Sequence, residues 1–149
     1  MVYNSGGYDS VGALRLLDGV VDIYMPDAKY GNDEIAGKLS HVKSYTAVLY
    51  SALKEMHRQV GDLMIEKDIA VRGLLVRHLV LPGGLAGSEE VMRIISAISK
   101  DTYVNIMAQY RPEHKASISE YEELRRPVYR EEVERVKDIA RRFGLHRGF

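Results

Sequence analysis

Gly73-Leu74-Leu75-Val76-Arg77-His78-Leu79-Val80-Leu81-Pro82-Gly83-Gly84 is an apolar run closed by a proline and two glycines. A continuous Leu/Val run of this length reads as a strand buried on both faces, the type found in parallel sheets. Pro82 cannot continue a ladder, and the glycines free the backbone for a tight exit. Ser88-Glu89-Glu90 follows, and then Val91, Ile94, Ile95 and Ile98 at the i, i+3, i+4, i+7 spacing of one helix face. The middle of the chain is therefore strand, glycine-rich turn, helix.

The same unit repeats outward from there. Val2 to Ser5 reads as a strand end, with Gly6-Gly7 as its turn and Asp9 or Ser10 as cap of a helix carrying Val11, Leu14 and Leu17. Val20 to Met25 reads as a short strand halted by Pro26. Asp33 to Leu39 is a short helix. Ser44 or Thr46 opens a longer one, with Leu49, Ala52, Leu53, Met56 and Val60 on one stripe and Gly61 at its end. Asp62 to Arg72 predicts a small hairpin about Lys67-Asp68. After the central strand (Gly73 to Leu81) and its helix (Ser88 to Lys100) come a strand over Tyr103 to Met107, a polar loop, and a final helix from Arg130 to Phe143 without a good cap. Strands alternating with helices imply an α/β fold with parallel strands and right-handed crossovers: about half of an eight-stranded barrel, or a small open sheet.

Composition sets limits. The 149 residues match a single domain, and 21 basic residues balance 21 acidic ones. That balance argues against nucleic acid or an anionic membrane as a partner held by bulk charge. No apolar run reaches the roughly 20 residues of a membrane span, and no signal peptide is visible, so a cytoplasmic protein is the expectation. With no cysteine, the chain forms no disulfide, thiolate nucleophile, zinc-thiolate site or iron–sulfur cluster of its own. A chain that starts at the end of a strand predicts a missing N-terminal part.

In parallel α/β folds, ligands lie at the carboxyl ends of the strands. Here those ends carry Asn4 and Ser5, then Asp27 and Lys29, then Pro82-Gly83-Gly84, then Gln109, Tyr110 and Arg111. Asp27 and Lys29 stand two apart and share a face of an extended segment. Such a pair binds a ribose, a metal ion or an amino-acid carboxylate, or is simply a solvated ion pair. Arg77 is either an anion-binding arginine of the sheet interior or the partner of a structural acid such as Asp22. His78 reads as a satisfied core histidine. Pro82 to Ser88, PGGLAGS, is either an anion-binding turn at a helix N-terminus or plain turn chemistry. The five histidines make no zinc spacing, and the ten tyrosines are scattered and form no stacking platform.

Four segments taken together resemble a known family: Asn4-Ser5-Gly6-Gly7-Tyr8; Val21 to Lys29, VDIYMPDAK; Val76 to Gly83, VRHLVLPG; and Gln109-Tyr110-Arg111 with His114-Lys115. In this order and spacing the chain resembles the C-terminal part of radical S-adenosylmethionine proteins related to the pyruvate formate-lyase activating enzyme, and more closely an uncharacterised activating-enzyme-like branch. The resemblance implies the second half of a partial (β/α)6, TIM-like barrel. It implies S-adenosylmethionine as a cofactor near Asn4, Ser5, Asp27, Lys29, Arg77 and Arg111. Asp27 and Lys29 match an Asp-x-Lys that contacts it, and Asn4 and Ser5 match an Asp-Thr pair. Arg77 matches a barrel-lining arginine, and Arg111 stands where those enzymes carry a histidine. Intact relatives hold a [4Fe-4S] cluster on a CxxxCxxC loop and cleave S-adenosylmethionine reductively, yielding a radical that takes hydrogen from a protein or small-molecule substrate. This chain has no such loop, so it is expected to be inactive alone and to self-associate or join an N-terminal half. Two other readings stand beside this one: a self-sufficient small α/β enzyme using Lys29 as a Schiff-base or general-base lysine, and a non-catalytic binding or assembly module.

Overall fold

The computed structural model describes residues 1–113 and 120–149. Five strands and five helices follow the order β1 (Val2–Ser5), α1 (Val11–Arg15), β2 (Ile23–Pro26), α2 (Asp33–Ser40), α3 (Tyr45–Val60), β3 (Met64–Glu66), β4 (Ile69–Leu79), α4 (Ser88–Ile98), β5 (Tyr103–Met107) and α5 (Arg130–Arg142). Short 3-10 turns occupy Pro82–Gly84 and Glu122–Arg125. The fold is mixed α/β. β1, β2, β4 and β5 form a parallel sheet in chain order, and β3 adds an antiparallel arm to the start of β4.

Helices α1, α3, α4 and α5 pack side by side in sequence. Their apolar stripes meet Tyr24, Leu74, Val76, Val104 and Ile106 of the sheet in one buried cluster. Leu49, Ala52, Leu53, Met56 and Val60 of α3 are all buried, as their spacing predicts. α1 is shorter than its apolar pattern suggests. Ser10 caps it through a bond from the Ala13 amide, while Asp9 instead accepts from the Tyr3 and Ser5 hydroxyls.

Two boundaries differ from the expectation. β2 starts at Ile23 rather than Val20, and its last residue is Pro26, paired with Ser5. It forfeits one donor, and the ladder resumes at once: Asp27 N–H donates to the Ser5 carbonyl and Ala28 N–H to the Arg77 carbonyl. β4 begins at Ile69, four residues before the quoted run, because the hairpin arm continues straight into it. The hairpin tip is Lys67-Asp68, with φ of 51° and 64°; both residues take the left-handed conformation that two-residue turns demand. At the junction Gly73 has φ 122°, and a Cβ there would overlap the Asp62 carbonyl. Only glycine lets the 62–63 segment pass so close.

The last helix does carry a cap. The Glu132 carboxylate accepts from the Tyr129 amide, from the Gly83 amide and from both guanidinium nitrogens of Arg126. Among the described residues, no helix is long and apolar enough to cross a membrane.

Candidate functional site

The pleat sends alternate strand residues to opposite faces. Tyr24, Leu74, Val76, His78, Val104 and Ile106 go to the helix layer and are buried. Asn4, Met25, Asp27, Leu75, Arg77, Leu79, Asn105 and Met107 go to the other face and are exposed or only half-buried. At the carboxyl ends of the strands this second face opens into a cavity of about 630 Å³. Asp27, Lys29 and Tyr30 line it from β2 and its loop; Arg77, Leu79 and Leu81 from β4; Met107, Gln109 and Tyr110 from β5. Lys38, Leu39 and His41 from the end of α2, with Leu124, close the rim.

The polar centre of the cavity is a network across three strands. The Arg77 Nε donates to Asp27 Oδ1 at 2.8 Å, and its Nη2 donates to Asn4 Oδ1 at 2.9 Å. The arginine thus has an acid partner, and it is Asp27 rather than Asp22, which takes the N-terminal ammonium instead. Register decides this: Asp27 lies directly beside Arg77 in the parallel ladder. Lys29 is exposed at the rim, and its ammonium has no partner among the described residues. Lys38 bonds Glu34 at 2.8 Å and lies over the Tyr121 ring, and its ammonium is held protonated by Glu34. Arg77 is thus paired with Asp27 and Lys38 with Glu34, which leaves Lys29 as the cation of the lining without an acid partner among the described residues.

The backbone that presents Asp27 and Lys29 is held on every side. Tyr45, the first residue of α3, accepts from the Lys29 amide at 2.8 Å and donates to the Asp27 carbonyl at 3.3 Å. Burial pushes its phenol up to about 12, so the hydroxyl keeps its proton. His78 is fully buried, with Nδ1 2.7 Å from the Ala28 carbonyl and Nε2 2.8 Å from Ser88 Oγ. A carbonyl only accepts, so Nδ1 carries the hydrogen and Nε2 accepts from the serine. Burial depresses the imidazole to about 4, keeping it neutral at pH 7. His78 is therefore a satisfied core histidine.

Other sequence candidates fall elsewhere. Ser5 faces the helix side, donating to Asp9 Oδ2 at 2.7 Å and accepting from Gly7 N–H. Arg111 is exposed in the loop after β5 and does not line the cavity; Gln109 and Tyr110 do so from that strand end. His114 and Lys115 lie outside the described residues. The PGGLAGS turn is not poised for an anion, since Glu132 already takes the Gly83 amide and Glu89 and Glu90 line the adjoining groove. Its Gly87 serves close approach: a Cβ on Gly31 would overlap the Gly87 carbonyl, so the loops after β2 and β4 lie backbone to backbone. The tyrosines are not all scattered. Tyr8 stacks on Tyr45 at 6.0 Å, and Tyr30 meets Tyr45 edge-on at 5.4 Å. Sequence reasoning missed Tyr45, Lys38 and His41, because nothing local links them to Asp27. No group of three or more His, Asp or Glu among the described residues could hold a metal ion.

No protein-family model matches this chain. It is similar to the uncharacterized protein MJ0674 of Methanocaldococcus jannaschii, with 36% identity over 146 residues. The match takes in 97% of this chain and 39% of that protein, so the chain spans well under half the length of the relative it matches.

Proposed function

We propose that this chain is the C-terminal half of a radical S-adenosylmethionine barrel of the activating-enzyme type, and that it contributes part of the S-adenosylmethionine pocket. One observation carries the reading. Parallel strands run in chain order under a single helix layer, and their uncovered face leads to a cavity where Asp27, Lys29 and Arg77 meet. A barrel wall has helices on one side only and strands in sequence, whereas a doubly wound sheet has helices on both sides and a reversal of strand order.

The residues fit this cofactor. The Lys29 ammonium, without a partner among the described residues, suits a carboxylate. Asp27, neutralised by Arg77, retains acceptor capacity for a ribose hydroxyl or an amine. Leu79, Leu81, Met107 and Tyr110 give the apolar enclosure an adenine needs. The chemistry that this ligand brings is its electrophilic sulfonium. The chain's own residues bind, orient and shield it. An iron–sulfur cluster does not fit, because the chain has no cysteine. The cluster and the remaining strands belong to a further part that completes the barrel, and the isolated chain, a cytoplasmic one on this reading, is inactive.

Calorimetric titration tests the reading. S-adenosylmethionine should bind the isolated chain with micromolar to millimolar affinity, and Lys29→Ala should weaken it about tenfold, the loss of one charge-assisted bond. An absence of heat would instead favour a non-catalytic assembly module. The exposed setting of Lys29 does not favour a Schiff-base role, which relies on a dry pocket.

A further inference from the structure

We propose that Tyr45 is a positioning residue of this site: its buried hydroxyl clamps the Asp27–Lys29 backbone and so fixes where the carboxylate and the ammonium stand. The proposal rests on the cofactor reading above only for its affinity measurements.

The clamp follows from counting bonds. Between the Asp27 carbonyl and the Lys29 amide there are four backbone groups, and each has a partner. The Asp27 carbonyl accepts from the Tyr45 hydroxyl, and the Lys29 amide donates to the same oxygen. The Ala28 amide donates to the Arg77 carbonyl, and the Ala28 carbonyl accepts from His78 Nδ1. Strand pairing supplies one of these bonds. The other three come from two side chains that the sheet does not require. A loop of this kind, just past a strand end, would otherwise satisfy its amides with water and move.

Tyr45 is itself held. It is 2% exposed, and its ring meets Tyr8, nearly parallel at 3°, and Tyr30 edge-on. The Tyr8 hydroxyl in turn donates to the Lys43 carbonyl in the link to α3. The hydroxyl therefore has one available direction, and that direction is the loop. Asp27 gains a second constraint from Arg77, whereas the Lys29 side chain has none among the described residues. Without the clamp, Lys29 is the residue that drifts.

Tyr45→Phe removes the hydroxyl and keeps the ring, and three measurements decide. In the unaltered protein, the Lys29 amide should exchange with solvent at least a hundredfold more slowly than an unstructured amide, despite the exposure of its side chain; fast exchange there would overturn the proposal before any variant is made. In Tyr45→Phe the Lys29 amide should exchange about tenfold faster than the global opening rate allows, and affinity for S-adenosylmethionine should fall about tenfold, the net worth of two neutral hydrogen bonds. In a Lys29→Ala background the same change should cost clearly less affinity, since Arg77 still holds Asp27 and the clamp acts chiefly through Lys29. Equal losses in both backgrounds, or unchanged Lys29 exchange in Tyr45→Phe, would reduce Tyr45 to a packing residue and refute the clamp. If the unaltered protein binds no S-adenosylmethionine, the cofactor reading fails, and the exchange rates alone decide the clamp.

Discussion

His78 shows how one residue can set the pH response of the fold. In the unfolded chain its imidazole titrates near 6.5, and in the folded protein burial lowers it to about 4. Its contribution is therefore complete above pH 6.5 and is lost as pH falls toward 4, because the unfolded chain takes up the proton first. Urea denaturation should show roughly 2 kcal/mol less stability at pH 5 than at pH 7, and His78→Asn should flatten that difference. Glu55 and Glu132 do not interfere in this window. Arg58 holds the first and Arg126 the second at about 2, so their contribution fades only as pH drops from about 4.5 through 2. A slope that survives in His78→Asn would place the titrating group elsewhere.

At the scale of elements, the loops after β2 and β4 meet through Gly31 and Gly87 with no side chain between them. Gly31→Ala would force the two loops apart. Overpacking of this kind costs typically 1–3 kcal/mol, and the shift in thermal midpoint should come with weaker ligand binding, since Tyr30 shares the cavity wall. The sequence made the helices and most strands legible, because burial of a single face imposes a period that survives without tertiary knowledge. α3 and β5 are where their patterns place them. The parts that were not legible depend on pairing between distant segments. Arg77 advertised a need for an acid, but only register could choose Asp27 over Asp22. Tyr8, Tyr30 and Tyr45 come together through chain reversals that no local spacing reveals. The site was half visible for the same reason: strand ends carrying Asn4, Asp27 and Lys29 could be read in order, whereas Arg111, at the end of the final strand, points to no shared cavity.

For the whole molecule, the sheet face and the β1 edge that no described residue covers or pairs are the surfaces that a barrel would close. Apolar or half-apolar side chains such as Met25, Leu75, Leu79 and Met107 line that face. Our reading gives it a second copy or an N-terminal half as its cover. Light scattering across a concentration series should then show a mass that rises above 16.8 kDa, and a constant monomer mass up to millimolar concentration would count against it. The order of the strands has one more consequence. β1 and β2 are joined by a short crossover, and β2 and β4 by one more than twice as long that holds α2, α3 and β3. Loop-closure entropy grows only with the logarithm of length, so the extra span costs under about 1 kcal/mol. Growth by insertion is therefore cheapest in that long crossover, the stretch from which the end of α2 sends Lys38 and His41 to the rim: this architecture can gain new chemistry over its mouth without renegotiating its core.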